Sequence, residues 1–137
     1  RLSRAAPILA LYRTDAPIRL RQYANGVDRD GWARSVVEYA AWPAQVSGGG
    51  AYRVRLALPE GRKARAVEAE AGPVRRQAVL RPGGSVTLDV PVSRMPLPPL
   101  SIRIDRADLL DADGTRPRLV AARVEVLEFI PEKGSRN

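Results

Sequence analysis

The chain has 137 residues, a formal charge of +8 and 45% hydrophobic residues, a size that fits one domain with a real core and leaves little room for two. It contains neither His nor Cys. That excludes Ser-His-Asp, Cys-His and zinc chemistry as well as any disulfide framework within the chain, and no apolar run approaches the roughly 18 residues of a membrane-spanning helix, so no membrane insertion by the chain itself is expected.

Taken in chain order, residues 1–6 read as a frayed start, and the opening Arg fits a mature product or a domain cut from a longer parent protein. Strands are predicted at Pro7 to Arg13, Ile18 to Tyr23 and Ser35 to Trp42, with the segment NGVDRDGWAR between the second and third. Gly48 to Gly50 is a loop, read as flexible because it lacks the strand-to-helix context of a phosphate loop. Ala51 to Leu58, AYRVRLAL, sets Tyr52, Val54, Leu56 and Leu58 on one side and arginines or alanines on the other, the period of two that a half-buried strand requires.

Pro59-Glu-Gly61 then turns the chain. Glu60 to Ala71 consists of good helix formers, yet a strand over Arg65 to Ala71 is preferred because the rest of the chain is made of strands. Strands follow at Arg75 to Leu80 and, after the turn Arg81-Pro-Gly-Gly84, at Ser85 to Val92, with Gly supplying the positive φ of tight reversals. Met95 to Pro99 is a loop and Leu100 to Ile104 a strand. The last run, Leu119 to Phe129, changes phase between Val124 and Leu127, which a β-bulge would reconcile, and residues 131–137 read as a frayed end. Short strands and turn chemistry throughout imply an all-β antiparallel sandwich of about eight or nine strands.

Two Asp-x-Asp-Gly pieces, Asp28 to Gly31 and Asp111 to Gly114, invite comparison with calcium loops. An EF-type loop wants Gly at position six and an acidic residue at twelve. From Asp28, Gly falls at position four and Tyr39 at twelve; from Asp111, Ala122 stands at twelve. Both are therefore read as Asp-Gly turns and no metal or cofactor is assigned, a calcium ion held by dispersed loops being left open. Asp28, Asp30, Glu38, Asp105, Asp108, Asp111 and Asp113 could supply a carboxylate pair for glycoside hydrolysis, but sequence sets no separation between them, and a non-enzymatic role is preferred.

Of the 23 basic residues 21 are Arg, dispersed and commonly alternating with apolar residues, which favours a solvated strand face over a nucleic-acid patch despite a pI near 10.9. Aromatics concentrate in the first half. Trp32, Tyr39 and Trp42, with Asp30 beside the first, form the candidate ligand-binding set, since aromatic faces stack on sugar rings; filling the core is the alternative for each ring.

The order of Asp30-Gly-Trp32, the LPEG and RPGG turns, PLSIRID and Asp113-Gly-Thr-Arg116-Pro-Arg-Leu119, over residues 24 to 130, resembles the jelly-roll β-sandwich modules appended to bacterial cell-envelope glycosyltransferases. Val120 stands where those modules usually carry Gly. The resemblance implies a non-catalytic, extracytoplasmic accessory domain, similar to carbohydrate-binding modules, that binds an envelope polysaccharide or positions partner domains of a parent membrane protein. The alternative is a structural or protein-interaction module whose basic face docks on acidic partners, with nucleic acid less favoured.

Overall fold

The computed structural model describes residues 20–43, 49–93, 97–110 and 116–131. Ten strands and no helix occupy the described residues: β1 (Leu20–Val27), β2 (Trp32–Pro43), β3 (Gly50–Ala57), β4 (Arg65–Ala71), β5 (Val74–Leu80), β6 (Ser85–Val92), β7 (Leu100–Ile104), β8 (Asp108–Leu110), β9 (Arg118–Val120) and β10 (Ala122–Pro131). The strand expected over Pro7 to Arg13 lies outside the described residues.

One antiparallel sheet runs in the order β5-β4-β7-β2-β10-β3-β6, with β1 on the other edge of β2, and β8 and β9 form a separate two-stranded ribbon. The terminal strands β5 and β6 pack against each other, so the sheet rolls up almost closed, sandwich- or barrel-like. Strand β2 makes the roll feasible. Its first residues, Trp32 and Ala33, pair with β10, whereas Val36 to Tyr39 pair with β7, so β2 passes from one half of the sheet to the other. The ladder to β1 breaks at the same place, between Asn25 and Val27, where Gly26 adopts φ +96°. A Cβ there would overlap the carbonyl oxygen of Val36, so the kink requires glycine.

Alternation decides what goes inside. Tyr52, Val54 and Leu56 of β3, Leu88, Val90 and Val92 of β6, and Leu100, Ile102 and Ile104 of β7 are buried, with their sequence neighbours facing outward. Fully burying one such Leu or Val stabilises by roughly 1.5–3 kcal/mol. At the centre, Tyr52 meets Tyr39 and Phe129 edge-on at ring-centroid distances of 5.8 and 5.3 Å, and its hydroxyl donates to the carbonyl oxygen of Pro98 at 2.6 Å.

Helix propensity loses in the segment 60–71 because β4 is paired on both edges, by β5 and β7, and buries Val67, Ala69 and Ala71 in alternation. The phase change in the last run is a bulge between Val124 and Val126, which lets both Ala122 and Phe129 point inward. That run is also divided at Ala121, whose N–H donates to Ala33 O, giving β9 and β10 where one strand was expected. Of the glycine run read as a flexible loop, Gly49 and Gly50 lie among the described residues and are closely packed. Gly49 is buried and Gly50 begins β3, and a Cβ on either would overlap a backbone carbonyl, Val92 for the first and Ile130 for the second.

Candidate functional site

The segment 28–32 is a tight reversal between β1 and β2. The Gly31 N–H donates to Asp28 O, the Asp28 N–H donates to Trp32 O, Gly31 has φ +92°, and Asp30 Oδ1 accepts from the Trp32 N–H at 3.3 Å. Asp-Gly chemistry thus makes a turn here, as its spacing predicted. It delivers Trp32 onto the flank of the main core at 8% exposure, with the guanidinium carbons of Arg62 and Arg123 at 5.3 and 5.5 Å from the ring centroid. Trp32 is roofed by cations rather than open to solvent, an arrangement that contributes about 0.5–2 kcal/mol per contact.

Ion pairs stitch the β8–β9 ribbon to this turn and to the loop before β4. Arg118 on β9 donates to Asp30 Oδ2, and its Nε lies 3.0 Å from Asp28 Oδ2 without being aligned for a hydrogen bond, so that second contact is ionic only. Arg34 pairs with the other oxygen of Asp28 at 3.1 Å. On the far side of the ribbon, Asp108 accepts from Arg65 at 2.6 Å and Arg62 at 3.4 Å. The Arg65 side chain is wholly buried and also donates to the carbonyl oxygens of Lys63, Arg106 and Ala121.

These partners set the acidities. The Arg65 hydrogen bond holds the Asp108 carboxyl below its ordinary value, against the opposing effect of partial burial. For Asp30 burial alone would raise the value, but hydrogen bonds from Arg118 and the Trp32 N–H outweigh it and the carboxyl is depressed. Both carboxylates are thereby kept ionised, the opposite of the raised value a general acid needs.

The outer face of the sheet carries an extended concavity that joins this turn cluster to the strands. A depression of about 760 Å³ is lined by Asn25, Asp28, Arg34, Val36, Arg118 and Leu119, among others, and a second of about 910 Å³ by Val36, Ala66, Glu68, Gln77, Val79, Arg103 and Asp105. They share Ser35 and Val36, so they form one shallow furrow from β5 across β4, β7 and β2 to β1 and β9. With strands ~4.8 Å apart, the four intervals from β5 to β1 span about 19 Å. Its apolar points are Val36 and Val79, 52% and 50% exposed, and Leu119. Its polar lining is made largely of planar amide, carboxylate and guanidinium groups, with the Ser35 hydroxyl between them.

The expected site residues are dispersed by this fold. Asp30 borders the turn cluster and is engaged by Arg118. Trp32 lies under Arg62 and Arg123, and Tyr39 points into the core at 1% exposure, where burial first, and then Tyr52 and Glu128, push its phenol well above the ordinary value. Trp42 is on β2, with its backbone opposite Arg21, and its side chain falls outside the described residues, as do Asp111 and Asp113. Of the remaining carboxylates, Asp28 joins Asp30 at Arg118, Asp105 lies in the furrow and accepts from the Ala66 N–H at 2.9 Å, and Glu38 is exposed on β2. Among the described residues no three carboxylates gather as a metal ligand set.

Arg65 and the furrow lining were not anticipated. Arg65 had a signal: in RAVEAEA it shares the inward parity of Val67, Ala69 and Ala71. The furrow had none, because it is assembled from six strands that lie apart in the sequence.

Fold and furrow together define an all-β antiparallel domain with an external groove beside an ion-paired turn. Comparison with known protein families, with curated proteins and with solved structures finds no match to this chain.

Proposed function

We propose that the chain is a non-catalytic binding domain that holds an extended carbohydrate in the outer furrow. The carrying observation is the lining: apolar points at Val36, Val79 and Leu119, suited to the C–H faces of sugar rings, alternate with Asn25, Gln77, Arg103 and Asp105, whose planar groups suit hydroxyls. A furrow of about 19 Å has room for several linked sugars. In this reading Trp32, shielded by Arg62 and Arg123, has a structural role and does not touch the sugar. The order of the Asp30-Gly-Trp32 turn and the later strands supports an accessory role outside the cytoplasmic membrane, in a protein that processes envelope glycans.

The test is titration of isotopically labelled protein with bacterial envelope polysaccharides, followed by NMR. Amide shifts confined to Asn25, Val36, Gln77, Val79 and Arg103, and abolished by Val36→Asp, are expected. Silence across a broad panel would sink the reading.

A second reading draws on the ribbon. Leu109 and Leu119 are cross-strand partners and are 58% and 59% exposed, an apolar pair on a two-stranded element that suits docking on a neighbouring protein domain. Loss of a domain–domain association in Leu109→Asp, with glycan shifts unchanged, would favour it.

A further inference from the structure

We propose that the furrow takes an acidic polysaccharide, with Arg103 gripping the carboxylate of a uronic-acid unit; this rests on the carbohydrate reading of the same furrow. Three arginines line the groove and they differ in their partners. Arg34 is neutralised by Asp28, and Arg118 by Asp28 and Asp30. Arg103 is exposed on β7, opposite Val36 of β2 and Glu68 of β4. Glu68 is already paired at 2.9 Å with Arg75. Among the described residues no carboxylate lies within ion-pair distance of Arg103.

The sheet therefore sets one uncompensated guanidinium near the middle of the groove, beside exposed Val36. A guanidinium presents a planar fork of N–H donors that matches a carboxylate with two parallel hydrogen bonds. An apolar point next to that fork suits a sugar ring that carries its acid group on one edge. A free phosphate or sulfate ion would use the charge but not Val36. The chain's +8 adds long-range attraction for a polymeric anion and does not by itself select a carboxylate.

The experiment compares polygalacturonate with the same polymer methyl-esterified, and with dextran sulfate, by titration calorimetry at about 0.15 M salt, where exposed charges beyond ~8 Å are screened. Native protein should bind the free acid roughly tenfold more tightly than the ester, the size of one charge-assisted interaction. Arg103→Gln should erase that preference, bringing acid and ester to equal affinity, whereas Arg81→Gln, on the exposed β5–β6 turn, should leave the preference as it is. Unaltered thermal unfolding of both variants establishes that they fold. Equal binding of acid and ester would overturn the carboxylate assignment and leave the carbohydrate reading standing. Binding of neither polymer would overturn the acidic-polysaccharide assignment, and silence across the envelope-polysaccharide panel as well would overturn the carbohydrate reading. Dextran sulfate bound as tightly as polygalacturonate, with Arg81→Gln and Arg103→Gln weakening both alike, would reduce the effect to unspecific polyanion attraction and overturn the proposal.

Discussion

Arg65 donates a 2.6 Å hydrogen bond to Asp108 Oδ2 from a side chain with no solvent exposure, while Asp108 itself is about one-third exposed. A single guanidinium thereby ties the ribbon strand β8, the β9–β10 junction at Ala121 and the loop at Lys63 to strand β4. Arginine can do this because its donors are fixed in a planar fork that serves four acceptors at once.

Replacing Arg65 with Met should destabilise the fold by about 3 kcal/mol, since it leaves buried carbonyl oxygens unpaired and Asp108 without its main partner. Arg65→Lys should recover only part of this, because one ammonium cannot reach all four oxygens. Urea unfolding of the three proteins measures the order. Equal stability of Arg65→Met and native protein would refute the pinning role.

Acid should weaken the same stitching. Asp108 and Asp30 have depressed values in the folded state, so on lowering the pH the unfolded chain takes up protons first. Their stabilisation is fully present above the ordinary carboxylate value of about 4 and is lost as pH falls through the folded values. The urea midpoint should hold between about pH 7 and 5 and drop below about pH 4. Asp108→Asn should start lower at neutral pH and show a shallower acid decline.

At the alkaline end the sign reverses. Burial raises the Tyr39 and Tyr52 phenols, so the neutral ring is favoured in the fold; their contribution holds below about pH 10, the unfolded value, and fades above it. Absorbance titration should show two of the four tyrosines ionising only as the protein unfolds.

Trp32 should behave as a shielded residue. In a Trp42→Phe background its fluorescence should resist acrylamide, and paired removal of Arg62 and Arg123 should open it to the quencher. Trp32→Ala should lower stability by about 3 kcal/mol, the range for deleting a large buried ring.

Two glycines should differ in kind. Gly50→Ala places a Cβ against the Ile130 carbonyl and should disrupt the β3–β10 pairing, with loss of soluble folded protein. Gly61→Ala meets no atom within 4 Å and carries only the strain of φ +88°, about 1–2 kcal/mol. Thermal unfolding separates them.

Much of the fold was legible because period-two alternation is a local property of the chain. Strands β4, β6 and β7 run from Arg65 to Ala71, Ser85 to Val92 and Leu100 to Ile104, the ranges expected from residues alone, and the bulge in β10 was announced by its change of phase. The short strand β8 was missed, since three residues, Asp-Leu-Leu, hold too little pattern to alternate. Tyr39, read as a candidate ligand-binding residue, shares its strand parity with Val37 and Ala41, and that face is the inward one.

What the sequence determined by itself is therefore an all-β chain, the sides of its most regularly alternating strands, the Asp-Gly turn at residues 28–31, and the lack of His and Cys chemistry. Strand order was decided by the tertiary structure, which alone brings β7 between β2 and β4, pairs Arg118 with Asp30 across 88 positions, buries Arg65 beneath a ribbon 43 residues away, and leaves Arg103 uncompensated in a furrow. The physical reason is one of range. Alternation and turn geometry act between neighbours in sequence, whereas the charge left over on a surface depends on which carboxylates pairing has brought within reach, and that is known only once the sheet has closed.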